Sequence, residues 1–214
     1  MSTKKIISPQ VINRLPKYHR CVTKLSRHGF DRVSSAQIAR LLGTTPSQVR
    51  QDFSVFGNYG SQGYGYGVQS LLYEIENIIG INKQHEIAVI GVGCIGKALL
   101  EHLEFERFGY HVAAAFDNNP RMIGAQVNGV CVYDVNHLPT FLEENEIDIC
   151  ILSVSKTAAK RIAYDLYRLG VEAIWNFTNE DLELNDNEVV VQNLSFMDSL
   201  FILTYYLREK RSGL

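Results

Sequence analysis

Apolar residues recur at helical spacing from near the start of the chain. Val11, Ile12, Leu15, Tyr18, Val22 and Leu25 predict one helix, opened by Ser8-Pro9 and stopped at His28-Gly29. Serine there can cap, and proline follows where no N–H is missed. Pro16 should kink or interrupt this helix. Ser34-Ser35-Ala36-Gln37 has the form of a capping box, opening a short helix with Ile38, Ala39, Leu41 and Leu42 inward and Gly43 at its close. Thr45-Pro46-Ser47-Gln48 repeats the device, and Val49 and Phe53, four apart, give the next helix an inner face. Val68 to Ile79 is amphipathic through Leu71, Leu72, Ile75, Ile78 and Ile79, and Gly80-Ile81-Asn82 ends it. A domain boundary belongs there.

Beyond that boundary the period changes. Short apolar or β-branched runs at 86–90, 113–117, 129–133, 147–154 and 173–178 read as strands. The run from Ile147 to Val154 is nearly continuous, as a strand covered on both faces must be. Helical segments alternate with them: Cys94 to Glu106, one ending near Asn145, and Thr157 to Leu169 with Gly170 as its stop. The expected class is therefore α/β, with a Rossmann-type doubly wound parallel sheet following the helical N-terminal part. The last helix, Phe196 to Lys210, is apolar on nearly every side through Phe196, Met197, Leu200, Phe201, Ile202, Leu203, Tyr205, Tyr206 and Leu207. A helix hydrophobic all round must be buried all round. It follows a completed sheet, so a second protomer is the expected cover, in a homodimer whose terminal helices cross. The divisions expected are residues 1–80, 81–193 and 194–214.

Composition narrows the class without changing the plan. At 214 residues and 46% hydrophobic, the chain can bury one large core or two small ones. No apolar run reaches the length of a membrane span and Met1-Ser2-Thr3-Lys4-Lys5 lacks a signal-peptide core, so a cytoplasmic protein is expected. Cys21, Cys94, Cys131 and Cys150 form no C-x-x-C pair and no metal-ligand spacing with the histidines; reduced thiols and no metal are expected.

Charge changes the picture more. The net value is −2, but residues 1–60 carry ten Lys/Arg against two acids and residues 61–214 carry eleven against twenty-one. A segment of +8 joined to one of −10 argues for two domains, the basic one facing a polyanion. Within the basic one, two short capped helices meeting across a glycine turn form a helix-turn-helix pattern. Ser47, Gln48, Arg50 and Gln51 project from the second helix near its start, and these residue types read base edges and grip phosphates. The cap residues Ser34, Ser35 and Thr45, together with Ser54, extend the candidate DNA-contacting set. Gly57, Gly60, Gly63, Gly65 and Gly67 then alternate with Tyr59, Tyr64 and Tyr66, as in the wing of a winged helix-turn-helix. Tyr59, Gly63 and Tyr64 are its candidate DNA contacts.

The acidic part opens with the second candidate site. Gly91-Val92-Gly93-Cys94-Ile95-Gly96 directly follows a strand and starts a helix, in the spacing G-x-G-x-x-G. The first glycine permits the turn, the second admits a pyrophosphate to the backbone, and the third lets helix and strand pack closely. The helix N-terminus supplies N–H groups and positive potential to the phosphates. Asp117 ends the next strand about twenty residues on, where a ribose-binding carboxylate belongs. It accepts from a 2′-hydroxyl and repels a 2′-phosphate, so NADH / NAD+ is favoured over NADP(H). Asn118 and Arg121 just beyond it, Ser153 and Val154, and Asn176, Phe177 and Thr178 at later strand ends complete the candidate cofactor-binding set.

A nucleotide fold invites an enzyme reading. Tyr206-x-x-x-Lys210 has the spacing of short-chain reductases, but it lies in the terminal helix and reads more simply as an i,i+4 pair. Little chain is left for a substrate domain, and no catalytic residue is assigned.

Taken together, Arg14-Leu15-Pro16-x-Tyr18-x-Arg20, Arg32-Val33-Ser34-Ser35, Val49-Arg50-x-Asp52-Phe53-Ser54-x-Phe56-Gly57, Gly63-Tyr64-Gly65-Tyr66, the glycine motif, Phe116-Asp117 and Asn176-Phe177-Thr178 resemble the Rex family of redox-sensing transcriptional repressors. The resemblance spans both domains. It implies a homodimer that binds double-stranded operator DNA when NADH is scarce and leaves it when NADH rises, with NAD+ competing for the same site. Members with a closure relay use an Arg on the first helix, a Tyr on the motif helix and an Asp just before the last helix. This chain has Arg20 but places His102 and Ser195 at the other two positions, so a relay here would be built differently. The alternative from another class is a NAD- or CoA-binding module without DNA binding, since CoA-binding folds share this sheet.

Overall fold

Helix α1 (Pro9–Arg27) runs through Pro16 without a break. Pro16 and Ile12, whose carbonyl loses its intrahelical partner, are both on the exposed side, where solvent can reach the orphaned oxygen. The expected interruption does not occur because the buried stripe Leu15, Tyr18, Cys21 and Val22 holds the helix on one core on both sides of Pro16. Ser8 makes no side-chain cap; its carbonyl accepts from Val11 and Ile12 instead, so proline at the first helical position carries the start.

The structure, a computed structural model, describes residues 7–54, 60–61, 65–184 and 188–213, and it divides into two units, Met1–Lys83 and Gln84–Leu214. In the first unit, β1 (Arg32–Val33) precedes α2 (Ser35–Leu42). Here the capping box forms in both directions between Ser34 and Gln37, and Gly43 closes the helix in the left-handed region at φ 65°. Helix α3 (Pro46–Ser54) follows at once, with the Gln48 N–H donating to Thr45 Oγ1 at 3.2 Å. Strands β2 (Gly60–Ser61) and β3 (Gly65–Gly67) pair antiparallel, and β1 adds to β3, giving the order β1-β3-β2. Helix α4 (Val68–Ile79) completes the unit. Val22, Ile38, Val49, Leu71 and Ile75 fill its core, and the Phe53 ring meets Tyr18 and Tyr66 edge-on at 4.8 and 5.1 Å. This is a winged helix-turn-helix arrangement; Tyr59, Gly63 and Tyr64 lie outside the described residues.

The second unit is built around β4 (His85–Ile90), which leads into α5 (Cys94–His102) and β5 (Tyr110–Asp117). After β6 (Gln126–Val127), β7 (Val130–Asp134) and α6 (Leu138–Glu144), the chain crosses to β8 (Ile149–Leu152). It continues through α7 (Lys156–Arg168), β9 (Ala173–Asn176) and β10 (Val190–Asn193) to α8 (Phe196–Ser212). The sheet order is β10-β9-β8-β4-β5-β7-β6, parallel except for the β6–β7 hairpin. The strand order reverses between β4 and β8, which leaves a crevice at their carboxyl ends. Two details differ from expectation. Helix α5 stops at His102 rather than Glu106, because Leu103 turns extended and Phe105 packs back on the sheet core. Edge strands β6 and β10 were not expected; each is short, with too little alternation to announce a strand.

Helix α8 buries none of its residues. Phe201, Leu203 and Tyr206 are each more than 60% exposed, an apolar surface of the kind that marks an interface. Of the thiols, Cys21 and Cys150 are buried, whereas Cys94 is exposed at the first position of α5.

Candidate functional site

The crevice is made by the close approach of two backbones. Gly91 has φ 93°, and a Cβ there would stand 2.7 Å from the Ser153 carbonyl oxygen. At Gly96 a Cβ would stand 1.9 Å from the Gly91 carbonyl oxygen. Only glycine lets α5 start this near to β4 and β8. Gly93, the cap of α5, is different: nothing lies within 4 Å of where its Cβ would be, so backbone faces open space at the head of the helix. That space suits a pyrophosphate.

The turn is tied on both sides. The Gly91 N–H donates to the Phe116 carbonyl at 2.7 Å, and Ser153 Oγ donates to the Gly91 carbonyl at 2.7 Å. Asp117 Oδ2 accepts from the Val92 N–H at 2.6 Å while Oδ1 accepts from the Asn119 N–H at 2.7 Å. Each carboxylate oxygen keeps a second lone pair, enough for the two hydroxyls of a ribose.

Gly91, Gly93, Asp117, Asn118, Ser153 and Val154 line one cavity of about 250 Å³. Val135 and, from α7, Ala158, Arg161 and Ile162 complete its wall. Sequence reasoning missed these four. For the three on α7 the signal is topological: α7 follows the strand beside β4, so its first turns must overhang the crevice. Arg121 is exposed and outside that lining, its N–H donating to Asn119 Oδ1; the arginine in the wall is Arg161. Val92, Cys94, Ile95 and Gly96 form the turn and helix start around the cavity without lining it.

Asn176 is fully engaged inside the protein. Its amide donates to the Glu180 carbonyl and to Asn193 Oδ1, both at 2.7 Å, and its oxygen accepts from the Thr178 N–H and Oγ1. Phe177 and Thr178 are buried beside it, and the Phe177 ring lies between Trp175 and Phe196, at 4.6 and 6.5 Å. This trio braces the loop between β9 and β10 and the start of α8.

Replacing Asp117 with alanine should weaken NADH binding by about tenfold or more, the loss of one to two charge-assisted hydrogen bonds, without an equal gain in NADPH affinity. Fluorescence titration with both nucleotides measures it.

In the first unit the polar candidates gather on α2 and α3. The Arg50 guanidinium donates to Ser35 Oγ at 3.3 Å and to Ser47 Oγ at 3.1 Å, joining the starts of the two helices. Ser54 Oγ donates to the Gln51 carbonyl, and Gln51 is exposed. Beneath them is a group that the sequence did not reveal. Asp52 is fully buried and accepts from Arg14 Nε at 2.6 Å, Arg14 Nη2 at 2.8 Å, Tyr18 Oη at 2.7 Å and Gln48 Nε2 at 2.8 Å. Burial pushes its carboxyl up, but the hydrogen bonds from Arg14, Tyr18 and Gln48 and the Arg14 charge prevail and hold it below the ordinary range. Arg14 is raised by the same bond, and Tyr18 is raised by burial and by Asp52.

Arg20 is exposed on α1, and His102 is the exposed last residue of α5. Ser195 caps α8: its Oγ accepts from the Asp198 N–H at 3.3 Å and donates to Asp198 Oδ1 at 3.0 Å. A carboxylate thus stands one turn beyond the position where the resemblance led one to look. Among the described residues no cluster suited to a metal occurs, and no helix is long and apolar enough to cross a membrane.

Residues 6–54 match a family described as putative DNA-binding protein N-terminus, and residues 82–180 match the CoA binding domain family. The chain is 43% identical over 209 residues to the redox-sensing transcriptional repressor Rex of Clostridium botulinum (strain Hall), covering 98% of this chain and 99% of that one. It is 40% identical over 210 residues to the protein of that name from Caldanaerobacter subterraneus subsp. tengcongensis, covering 98% and 93%. Among solved structures it is similar to RSP, a Rex-family repressor. The complex of RSP with β-NAD+ and operator DNA superposes with a TM-score of 0.90 at 40% identity, over 98% of this chain and 96% of that one. The complex with β-NADH gives 0.89 at 38% identity, over 98% of each chain.

Proposed function

Because the chain belongs to the Rex family of redox-sensing transcriptional repressors, we propose that it binds operator DNA through α3 and the wing and is released when NADH fills the crevice at Gly91–Gly96. One observation carries this reading: a single chain joins a winged helix-turn-helix unit to a sheet whose open glycine turn and Asp117 have the geometry a dinucleotide needs. The protein is a repressor rather than a dehydrogenase. We assign DNA reading to residues 1–80, dinucleotide binding to 81–193 and subunit association to 194–214, and place the protein in the cytoplasm, where its DNA is.

Gly91 to Gly96 would receive the pyrophosphate, Asp117 the adenosine ribose, and the Val135, Arg161 and Ile162 wall the adenine. Bound dinucleotide supplies no chemistry here; it acts by differential binding. If NADH prefers a form in which the two α3 helices no longer match successive major grooves roughly 34 Å apart, DNA must weaken NADH binding by the same factor. A ligand of equal affinity for both forms would change nothing. Titrating NADH and NAD+ against operator-bound protein tests this; release at equal concentrations of the two would refute redox sensing. The CoA-binding name of the sheet family leaves a DNA-independent module as the second reading. Affinity for duplex DNA that falls steeply with salt separates the two, since phosphate contacts release counterions.

The pair of reading heads comes from a homodimer closed over α8. Its bare face, Leu200, Phe201, Leu203 and Tyr206 among them, has no cover among the described residues. Substituting Leu203 with glutamate should convert the protein to monomer in sedimentation at micromolar concentration and remove operator binding, since half-site contacts alone are weak.

A further inference from the structure

We infer that Gln48 reads an adenine in the major groove through an amide whose orientation Asp52 fixes, an inference that rests on the operator-binding reading above. Asp52 lies on the inner side of α3 and never reaches solvent. Its Oδ2 accepts from Arg14 Nε and Tyr18 Oη, and its Oδ1 accepts from Arg14 Nη2 and Gln48 Nε2. Four donors fill the acceptor capacity of a carboxylate. Paired in two places with a guanidinium, that carboxylate is ionised and can only accept.

The consequence falls on Gln48. The two ends of a glutamine amide are chosen by their hydrogen-bond partners, and here chemistry leaves one choice. Turned the other way, Oε1 would face Oδ1, acceptor against acceptor at 2.8 Å. So the NH₂ end faces Asp52, spending one N–H, and Oε1 with the second N–H remains for other partners. Those two groups sit side by side as an acceptor and a donor. Adenine offers their complement on its major-groove edge, the N6 donor beside the N7 acceptor; guanine offers two acceptors and would oppose Oε1.

Position agrees with chemistry. Gln48 is the third residue of α3, in the turn where a recognition helix meets base edges, next to Ser47 and three before Gln51. It is half-buried, so its amide is already ordered and loses little freedom on binding. Asp52 is then a positioning residue for sequence recognition: it touches no base but decides which atoms Gln48 presents.

The test begins with duplexes selected from a randomised pool by the wild-type protein, which define its half-site. Affinities are then measured for the selected duplex and each single-base-pair variant, with wild type, Gln48→Met and Asp52→Asn; NADH titration and melting check that each protein is folded. Wild type should lose about ten- to a hundredfold when one A·T pair per half-site becomes G·C. In Gln48→Met that ratio should fall to near one, with the ratios at other positions and the salt slope unchanged. Asp52→Asn, which can offer Gln48 either a donor or an acceptor, should flatten the same position while NADH affinity holds. A loss of folding does not move a single position, and if Asp52→Asn does not fold, Gln48→Met decides. Gln48→Met with wild-type ratios at every position overturns the inference. Wild-type protein that selects no sequence at all overturns the operator-binding reading, and this one with it.

Discussion

Replacing Gly96 with alanine will cost this protein its response to NADH while leaving it on DNA. The added Cβ would stand 1.9 Å from the Gly91 carbonyl oxygen and 2.7 Å from Ser153 Oγ. Ser153 is a side-chain terminus and can turn, but the Gly91 oxygen is main chain in a turn already tied to Phe116 and Ser153. Helix α5 must therefore move off β4, and the N–H groups at its head leave the position in which the proposal has them meet a pyrophosphate. Losing two hydrogen bonds to a charged group costs about 3 kcal/mol, or about a hundredfold in affinity. The strain should also lower the stability of the second unit by about 1–3 kcal/mol, as overpacking does, so melting is measured alongside. The atoms the new Cβ meets, those of Gly91 and Ser153, belong to the second unit, and operator binding without NADH should match wild type. Release from DNA at wild-type NADH concentrations would show that the glycine turn is not where the signal enters.

Replacing Asp52 with alanine will act on the other unit. It leaves the Arg14 cation, the Tyr18 hydroxyl and the Gln48 amide without their acceptor at once. Breaking a buried ion pair costs about 3 kcal/mol, toward the lower end of the range because the Arg14 side chain is 32% exposed and can rehydrate. That is a large share of the stability of a small unit, and α3 should lose its fixed seat on α1. Operator affinity should fall steeply while NADH affinity is unchanged, and thermal unfolding should separate into two transitions. The folded carboxyl lies below its ordinary value, so its contribution is complete above the unfolded pKa, about 4, and is lost as pH falls through the lower folded value. Wild type and Asp52→Ala should therefore converge in stability toward the acid end when followed by circular dichroism. A gap that persists undiminished there would mean that the ionised carboxylate is not what holds α3.

How much of this could be seen in the sequence depends on how local each cause is. The helices of the first unit were legible because their signals lie within a few residues: the box at Ser34 and Gln37, proline at 46, glycine at 43. The glycine turn was legible because its constraint is a spacing. Pro16 does not interrupt its helix, since packing along the whole helix outweighs the missing N–H. Asp52 was hidden for a different reason. A charged residue beside Val49 and Phe53 reads as facing water, and its partners Arg14 and Tyr18 lie 38 and 34 residues earlier on another helix. Arg161 and Ile162 were hidden because only the order of strands brings α7 over the crevice. Strand ends pointed to Asn176, but not to its whole hydrogen-bonding capacity being spent on Glu180, Asn193 and Thr178.

The two main-chain ties on Asp117 bear on how such a protein can evolve. A carboxylate that also clasps the Val92 and Asn119 amides cannot be exchanged for a neutral or basic residue without loosening the glycine turn proposed to receive the phosphates. A lineage drifting toward the 2′-phosphorylated coenzyme would first pass through variants that sense neither molecule well. Selection would remove those intermediates, so the sensor should stay tuned to the catabolic pool and deaf to the biosynthetic one over long descent.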